Sequence, residues 1–367
     1  MHKRLLLGFD WTLIIFILVL GILGIINIYS ATHGLEQTGT PLHIRQLYWL
    51  GLGFVAMVVI AWIGPQRICF FAYPIFIFAV ISLVAVLLFG KVVNNSQRWL
   101  SLGPIAIQPS EMMRIAIVIV LAYFFYRRDQ PYPYSLPQLI IPLIMIAMPC
   151  ALIFKQPDLG TTILVFLVGM SVIMVNGVRI VSLLSMVAIG LGGVLLAWFR
   201  IIKDYQKERI YSFIFPDKDP LGSAYNQIQS KIAVGSGQFT GKGFMAGTQG
   251  QLNFLPEHHT DFAFSVLAEE WGFLGAALVL VLLAGIILRS LVLAYRAKDH
   301  LGMLIIVGCT GLIFWPTIIN VAMVTGMFPV TGMPLPFISY GGSALLTNMA
   351  AIGLIQGVAI RRYVFTK

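Results

Sequence analysis

"FLPEHHTDFAFSVLAEE", residues 254–270, runs without interruption into "WGFLGAALVLVLLAGIIL", residues 271–288. The second half is long and apolar enough to cross a bilayer, since a hydrocarbon core about 30 Å thick takes about 20 apolar residues as a helix. The first half sets His258, His259 and the carboxylates of Glu257, Asp261, Glu269 and Glu270 where that helix begins. Ionisable groups in such a place face a bundle interior or a wet cavity. The apolar half therefore assigns the fold class, and the ionisable half asks what the fold is for.

The rest of the chain repeats the apolar half. Of 367 residues, 59% are hydrophobic and only 10% are charged, a balance no water-soluble surface of this size would carry. Apolar runs of spanning length lie at Trp11–Ser30, Leu47–Ile63, Ala72–Phe89, Met112–Tyr126, Leu139–Phe154, Thr161–Val175, Ile180–Phe199, Phe262–Leu293, Met303–Val324 and Ala344–Ile360. They predict an all-α polytopic integral membrane protein of about ten transmembrane helices, with one large extracytoplasmic loop between helices seven and eight. The first run follows Lys3 and Arg4 like a secretory signal, but it is longer than a typical signal core and nine more spans follow, so it reads as an uncleaved helix. No internal repeat, low-complexity segment or soluble domain breaks residues 1–367, which read as a single membrane domain containing the loop 200–261.

Basic residues in short connections mark the cytoplasmic side. Lys3, Arg4, Arg67, Arg127, Arg128, Arg179, Arg296, Lys298, Arg361, Arg362 and Lys367 fall at the termini and the even-to-odd connections, whereas the opposite short loops hold only Arg45, Lys91, Arg98 and Lys155. Both termini are thus predicted to be cytoplasmic. This excess accounts for much of the net charge of +10, which is no argument for nucleic acid. The outer loop nevertheless carries Arg200, Lys203, Lys207, Arg209, Lys218, Lys231 and Lys242, an invitation to an anionic partner. Cys69, Cys150 and Cys309 lie in or beside apolar runs too far apart to predict disulfides.

Four further stretches carry polar residues that a plain bundle does not need. In "NNSQRWLSLGPIAIQPSEMMRIA", residues 94–116, Ser110 reads as an N-cap and Glu111 as a first-turn acid suited to the helix dipole. Arg114, three residues on, shares a helix face with Glu111 at membrane depth. Trp99 serves either as an interfacial anchor or, beside Arg98, as a phosphate or sugar contact. In "KQPDLGTT", residues 155–162, Asp158 either caps the next helix or is presented to a cavity. In "AYNQIQSKIAV", residues 224–234, Tyr225, Ile228 and Ile232 form an apolar stripe suited to an interfacial helix, leaving Lys231 toward headgroups or a cavity. The following "GSGQFTGKG" fails as a phosphate-binding loop, with Ser236 where the first glycine is needed and Gly243 in place of Ser or Thr. Finally, "TGMFPVTGMPLPFISYGGSALL", residues 325–346, is broken by three prolines and by Gly332, Gly341 and Gly342. Non-helical backbone at membrane depth persists only where it is buried or lines a cavity.

In the opening stretch, Thr260 or Asp261 is placed to cap the eighth helix, which explains one polar residue and not the cluster. The spacing of His258, His259 and Asp261 matches none of the usual zinc motifs, so no metal site is assigned. A carboxylate at the membrane surface beside a cationic loop suits chemistry on a phosphate-bearing lipid. If a sugar on a polyprenyl pyrophosphate is the donor, the leaving group needs cations such as Arg98, Arg209 or Lys231, and one carboxylate must deprotonate the incoming hydroxyl. Asp261 is the best-placed base. A transporter of the same lipid would use similar groups.

"QRWL", "QPSE", "QPDLGTT", "GTQGQLNFLPEHHTDFAFSVLAEEWG" and "PVTGMPLPFISYGGSALL" occur in the order seen in the SEDS family (shape, elongation, division, sporulation), which the chain resembles over nearly its whole length. "GTQGQLNFLPEHHTDF" is closer to the elongation (RodA) subgroup than to the division (FtsW) one. The resemblance implies a peptidoglycan glycosyltransferase of the bacterial inner membrane that polymerises lipid II on the outer face, working with a class B penicillin-binding protein transpeptidase and the elongation machinery. It implies that Asp261 is the catalytic residue, and that Arg98, Trp99, Glu111, Arg114, Asp158 and the motif histidine His259 belong to the site. His258 falls on a variable position. Two rivals stand beside this reading. A lipid II flippase predicts polar groups through the depth of the bundle, whereas here they concentrate at one face. A non-catalytic scaffold for a transpeptidase predicts that Asp261 is dispensable. No cofactor is assigned; a divalent cation would help to neutralise pyrophosphate but has no sequence signature here.

Overall fold

With no water in the bilayer interior, every backbone N–H and C=O there must be paired within the protein, and helices do this segment by segment. The computed structural model describes residues 8–33, 39–93, 96–102, 105–128, 132–200, 204–215, 224–251 and 254–361. In chain order the elements are α1 (Trp11–Ala31), α2 (Leu42–Ile63), α3 (Pro65–Phe70), α4 (Ala72–Phe89), β1 (Lys91–Val93), β2 (Ser96–Leu102), β3 (Ile105–Ile107), α5 (Pro109–Arg127), α6 (Leu136–Lys155) and α7 (Leu159–Val175). There follow α8 (Ile180–Arg200), α9 (Asp204–Ile214), α10 (Tyr225–Ser236), α11 (Thr248–Gln251), α12 (Ala263–Tyr295), α13 (His300–Val324) and α14 (Gly342–Arg361). Among the described residues, eight helices are long and apolar enough to cross a membrane: α1, α2, α4, α5, α6, α12, α13 and α14. Two shorter apolar helices join them, α7 and the Ile180–Gly193 part of α8. The protein is an all-helical, multi-pass membrane protein.

Three helices, α5, α13 and α14, are buried over most of their length and form the interior. Around them the outer helices turn Ile15, Val55, Phe78, Leu88 and Val281 outward, an arrangement that suits lipid and would be costly in water. Cap chemistry sets several helix starts: Asp10 accepts from Leu13 N, Asp158 from Thr161 N and Asp299 from Gly302 N.

Four expectations from the sequence need correction. First, the run Phe262–Leu293 is not one continuous span. At a rise of 1.5 Å per residue, the 33 residues of α12 would extend about 50 Å, well beyond a bilayer core. The helix instead breaks at Gly272, where φ is 63° and ψ is −160°. That backbone region is essentially restricted to glycine. A Cβ there would collide with Gly241 N and Phe239 O of the long connection between α8 and α12. The connection repairs the break: Lys242 N and Gly243 N donate to the Glu269 and Glu270 carbonyls (both 3.0 Å), while Phe273 N donates to Gln238 O (2.9 Å) and Leu274 N to Phe239 O (3.2 Å).

Second, the segment between α4 and α5 is not simple loop but a three-stranded antiparallel sheet in the order β1-β2-β3. Third, α5 starts two residues earlier than an N-cap at Ser110 would allow. Pro109 takes the first helical position, where its missing N–H costs nothing, so the N-cap is Gln108 and Ser110 lies inside the first turn. Likewise neither Thr260 nor Asp261 caps α12, whose N-cap is Phe262. Fourth, α10 does more than lie in the interface with an apolar stripe: Gln227, Ser230 and Ala233 form a face buried against the protein, while Ile232 of the stripe points outward. The reason is polar: Ser230 Oγ bonds to Ser265 Oγ (2.9 Å) and to Val324 O (2.8 Å), so α10 docks on α12 and α13 through hydrogen bonds.

Candidate functional site

The first turn of α5 is buried, and so are its charges. Glu111 and Arg114 are 7% and 4% exposed, and Arg114 Nη1 lies 2.5 Å from Glu111 Oε2. Two opposite charges three residues apart on one helix face neutralise each other where neither is well hydrated. Arg114 Nε and Asn348 Oδ1, which line the same cavity, are buried without a hydrogen-bond partner among the described residues.

A second charge pair closes the neighbouring wall. The turn between α6 and α7 presents Asp158, which caps α7 through Thr161 N (3.2 Å) and accepts from Thr161 Oγ1 (2.9 Å). Arg98 on β2 reaches over this turn, with Nη1 3.8 Å from Asp158 Oδ1 and Nη2 donating to Pro157 O. Capping and presentation to a cavity were alternatives for Asp158 in the sequence; the fold gives it both. The sheet thereby carries Arg98 and Trp99 from the α4–α5 connection to the α6–α7 turn.

Asp261 comes from the turn ahead of α12. That turn closes on Glu257 O, which accepts from Thr260 N (3.1 Å) and Phe262 N (3.4 Å). From α13, the fully buried Asn320 donates to both Asp261 O (2.8 Å) and Met333 O (2.6 Å). Facing Asp261 is Gly332 (φ 72°); a Cβ at that position would stand 3.2 Å from Asp261 Oδ2. A glycine therefore serves twice here, for its left-handed backbone and for the space beside the carboxylate.

These walls enclose a cavity of about 210 Å³, lined by Arg98, Trp99, Glu111, Arg114, Asp158 and Asp261 together with the non-helical segment Gly332–Tyr340. Six residues singled out in the sequence, from three separate stretches, thus meet in one place. Two others lie elsewhere. Lys231 is exposed on α10 with its ammonium end over Gly326, outside the cavity lining. His259 also lies outside the lining; its carbonyl accepts from Tyr340 N (2.9 Å), and its ring is tilted against Tyr340 with centroids 6.1 Å apart. Burial and the adjacent His258 push the His259 imidazole below its ordinary pKa, against a smaller upward pull from Glu257. Arg209 falls in α9, and its side chain lies outside the described residues. No cluster of His, Cys, Asp and Glu fit to hold a metal ion occurs among the described residues.

Glu269 and Glu270 belong to a different structure. Glu269 is fully buried and accepts from Lys242 Nζ (2.6 Å), Thr248 N (2.8 Å) and Thr248 Oγ1 (3.0 Å). Glu270 accepts from Ser30 Oγ at 2.5 Å. Both carboxylates stand just ahead of the helix break, where Glu269 fastens the long connection to it and Glu270 ties it to α1. So the ionisable half of residues 254–270 divides between a cavity, reached by Asp261, and a clamp, built from Glu269 and Glu270.

The sequence reading missed Asn320 and the Lys242–Glu269 pair. A signal existed for the first, since an amide inside an apolar run must find partners in the bundle. None existed for the second, because the residues are separated by a loop whose path the sequence does not reveal.

A family model described as "Cell cycle protein" and named for FtsW, RodA and SpoVE matches residues 10–363. The chain is 41% identical over 364 residues to the peptidoglycan glycosyltransferase MrdB of Escherichia coli (strain K12), covering 98% of this chain and 95% of that protein. It is 30% identical over 438 aligned positions to the peptidoglycan glycosyltransferase RodA of Treponema pallidum (strain Nichols), covering 99% and 100%. Among solved structures, one described as "Structural coordination of polymerization and crosslinking by a peptidoglycan synthase complex" superposes with a TM-score of 0.82 at 29% identity, covering 97% of this chain and 98% of that one.

Proposed function

The chain belongs to the FtsW/RodA/SpoVE family of cell cycle proteins, and from that premise we propose how its cavity performs glycosyl transfer. It is a peptidoglycan glycosyltransferase, as its relatives of the same length are named. Its substrate is lipid II, and the reaction takes place on the outer face of the inner membrane, with both termini in the cytoplasm.

In the proposed step the acceptor's GlcNAc 4-hydroxyl lies against Asp261. As its oxygen attacks the anomeric carbon of the donor's MurNAc, the proton passes to the Asp261 carboxylate and the bond from that carbon to the pyrophosphate oxygen breaks. The electron pair leaves with undecaprenyl pyrophosphate. Arg98 and Arg114, both in the cavity lining, are the cations that meet the charge developing on the leaving group. Each is already balanced by a carboxylate, Asp158 and Glu111, so the site does not hold two bare cations. Trp99 offers an apolar face to a sugar ring. Repetition of the step lengthens a glycan strand.

One observation carries the reading: Asp261 shares a single cavity with both arginine–carboxylate pairs, although the three come from distant parts of the chain. A cavity of about 210 Å³ is on the scale of one sugar ring and far short of a whole disaccharide lipid, so the lipid chains lie outside it, in the membrane. The partner in this reading is a class B penicillin-binding protein that cross-links the strands, supported by the superposition on a complex described as coordinating polymerisation and crosslinking.

The test is polymerisation of labelled lipid II by the purified protein in detergent, where there is no membrane to flip across, with and without the transpeptidase. Glycan ladders are expected. Bound lipid II with no strands under either condition would shift the assignment to a flippase or a scaffold.

A further inference from the structure

We infer that Asn320 is a positioning residue for Asp261, the buried amide that sets where the carboxylate stands in the cavity. This rests on the proposed role of Asp261 as the base. Asn320 is 0% exposed and lies in α13, a helix otherwise built of apolar and small residues in this region. Its Nδ2 donates in two directions, to Asp261 O at 2.8 Å and to Met333 O at 2.6 Å. Those carbonyls belong to the two segments that form the wall at the base: the turn carrying Asp261, and the non-helical segment carrying Gly332. Since Gly332 is the residue packed beside Asp261 Oδ2, one amide fixes both the carboxylate's own backbone and the surface it rests on.

An NH₂ group with two hydrogens is the smallest side-chain donor that serves both carbonyls. Asn27 of α1 holds the same turn from its far side, donating to Ala263 O at 2.9 Å. It makes no bond to the Gly332 segment. Asn320 alone among these two couples the base to its wall.

A displacement of about 1 Å at a reacting group costs on the order of 100-fold in rate without loss of binding. The experiment is a comparison of Asn320→Ala with Asn176→Ala under steady-state lipid II polymerisation. Asn176 is an equally buried amide bonded to Val172 O at 2.7 Å, at the far end of α7 and away from the cavity. Asn320→Ala is expected to lower kcat by about 10- to 100-fold with KM within twofold, and Asn176→Ala to leave both unchanged at a comparable loss of thermal stability. Asn320→Asp, which keeps the side chain's size but loses the amide, repeats the measurement should the alanine variant not fold.

An unchanged kcat, or a rise in KM alone, overturns the assignment. So does failure of both Asn320 variants to fold, since the amide would then be a requirement of folding. Asp261→Asn run in parallel separates the two ideas: full activity there removes the base itself, whereas its loss alongside an active Asn320→Ala removes only the positioning.

Discussion

In the proposed mechanism, Asp261 has room at the cavity wall because the residue beside it, Gly332, has no side chain. Gly332→Ala would add a Cβ 3.2 Å from Asp261 Oδ2 and force an L side chain into left-handed backbone at φ 72°, a conformation costing about 1–2 kcal/mol. We predict that Gly332→Ala lowers kcat at least 10-fold, on the order of what a misplaced catalytic group costs, while the protein stays folded and binds lipid II. Initial rates and substrate binding on the same preparation check this; wild-type kcat would show that the glycine serves the backbone alone. At this scale the sequence was informative where charge was involved. Arg98, Glu111, Arg114, Asp158 and Asp261 stand out because an ionised group in a chain with 10% charged residues demands a partner or a cavity. Asn320 did not stand out, because a neutral amide has many bland uses in a helix bundle.

Among the elements, α12 departs furthest from its sequence reading. A run of apolar residues looks continuous whether or not a glycine in its middle takes up non-helical torsions. What breaks the helix is the approach of residues 238–243, some thirty positions earlier, and that approach is a tertiary fact. The clamp at Glu269 holds the two together. Removing its carboxylate takes the buried acceptor from Thr248 N–H and from the partly exposed Lys242 ammonium, a loss of about 1–3 kcal/mol on the scale of hydrogen bonds to a charged group. Glu269→Ala is therefore expected to speed amide hydrogen exchange through residues 238–249 at least 10-fold while the exchange of α5 and α14 is unchanged. Unaltered exchange in that segment would mean that the backbone bonds at the break suffice alone. The α10 correction has the same origin: its Ser230 finds Ser265 and Val324, partners that an apolar stripe on a helical wheel cannot anticipate.

For the whole molecule, the membrane class was legible because apolar runs and short basic connections are set by the bilayer itself, and this constraint is independent of how helices pack. The small sheet was not, since short strands at a helix-rich surface leave little periodic signal. The proposed orientation has a direct check. In a background without Cys69, Cys150 and Cys309, a cysteine at Glu257 is expected to react with an impermeant maleimide in intact spheroplasts, and one at Arg296 only after permeabilisation. Both positions are exposed, so the reverse pattern would invert the topology and move the cavity to the cytoplasmic side. The account stands or falls, however, on one carboxylate. The most direct measurement is the rate of lipid II polymerisation by Asp261→Asn at saturating substrate, with lipid II binding measured on the same sample. Loss of a general base predicts a fall of about 100- to 10,000-fold in kcat with binding retained. Polymerisation near the wild-type rate would contradict the account, and the cavity's other carboxylates would have to be considered in its place.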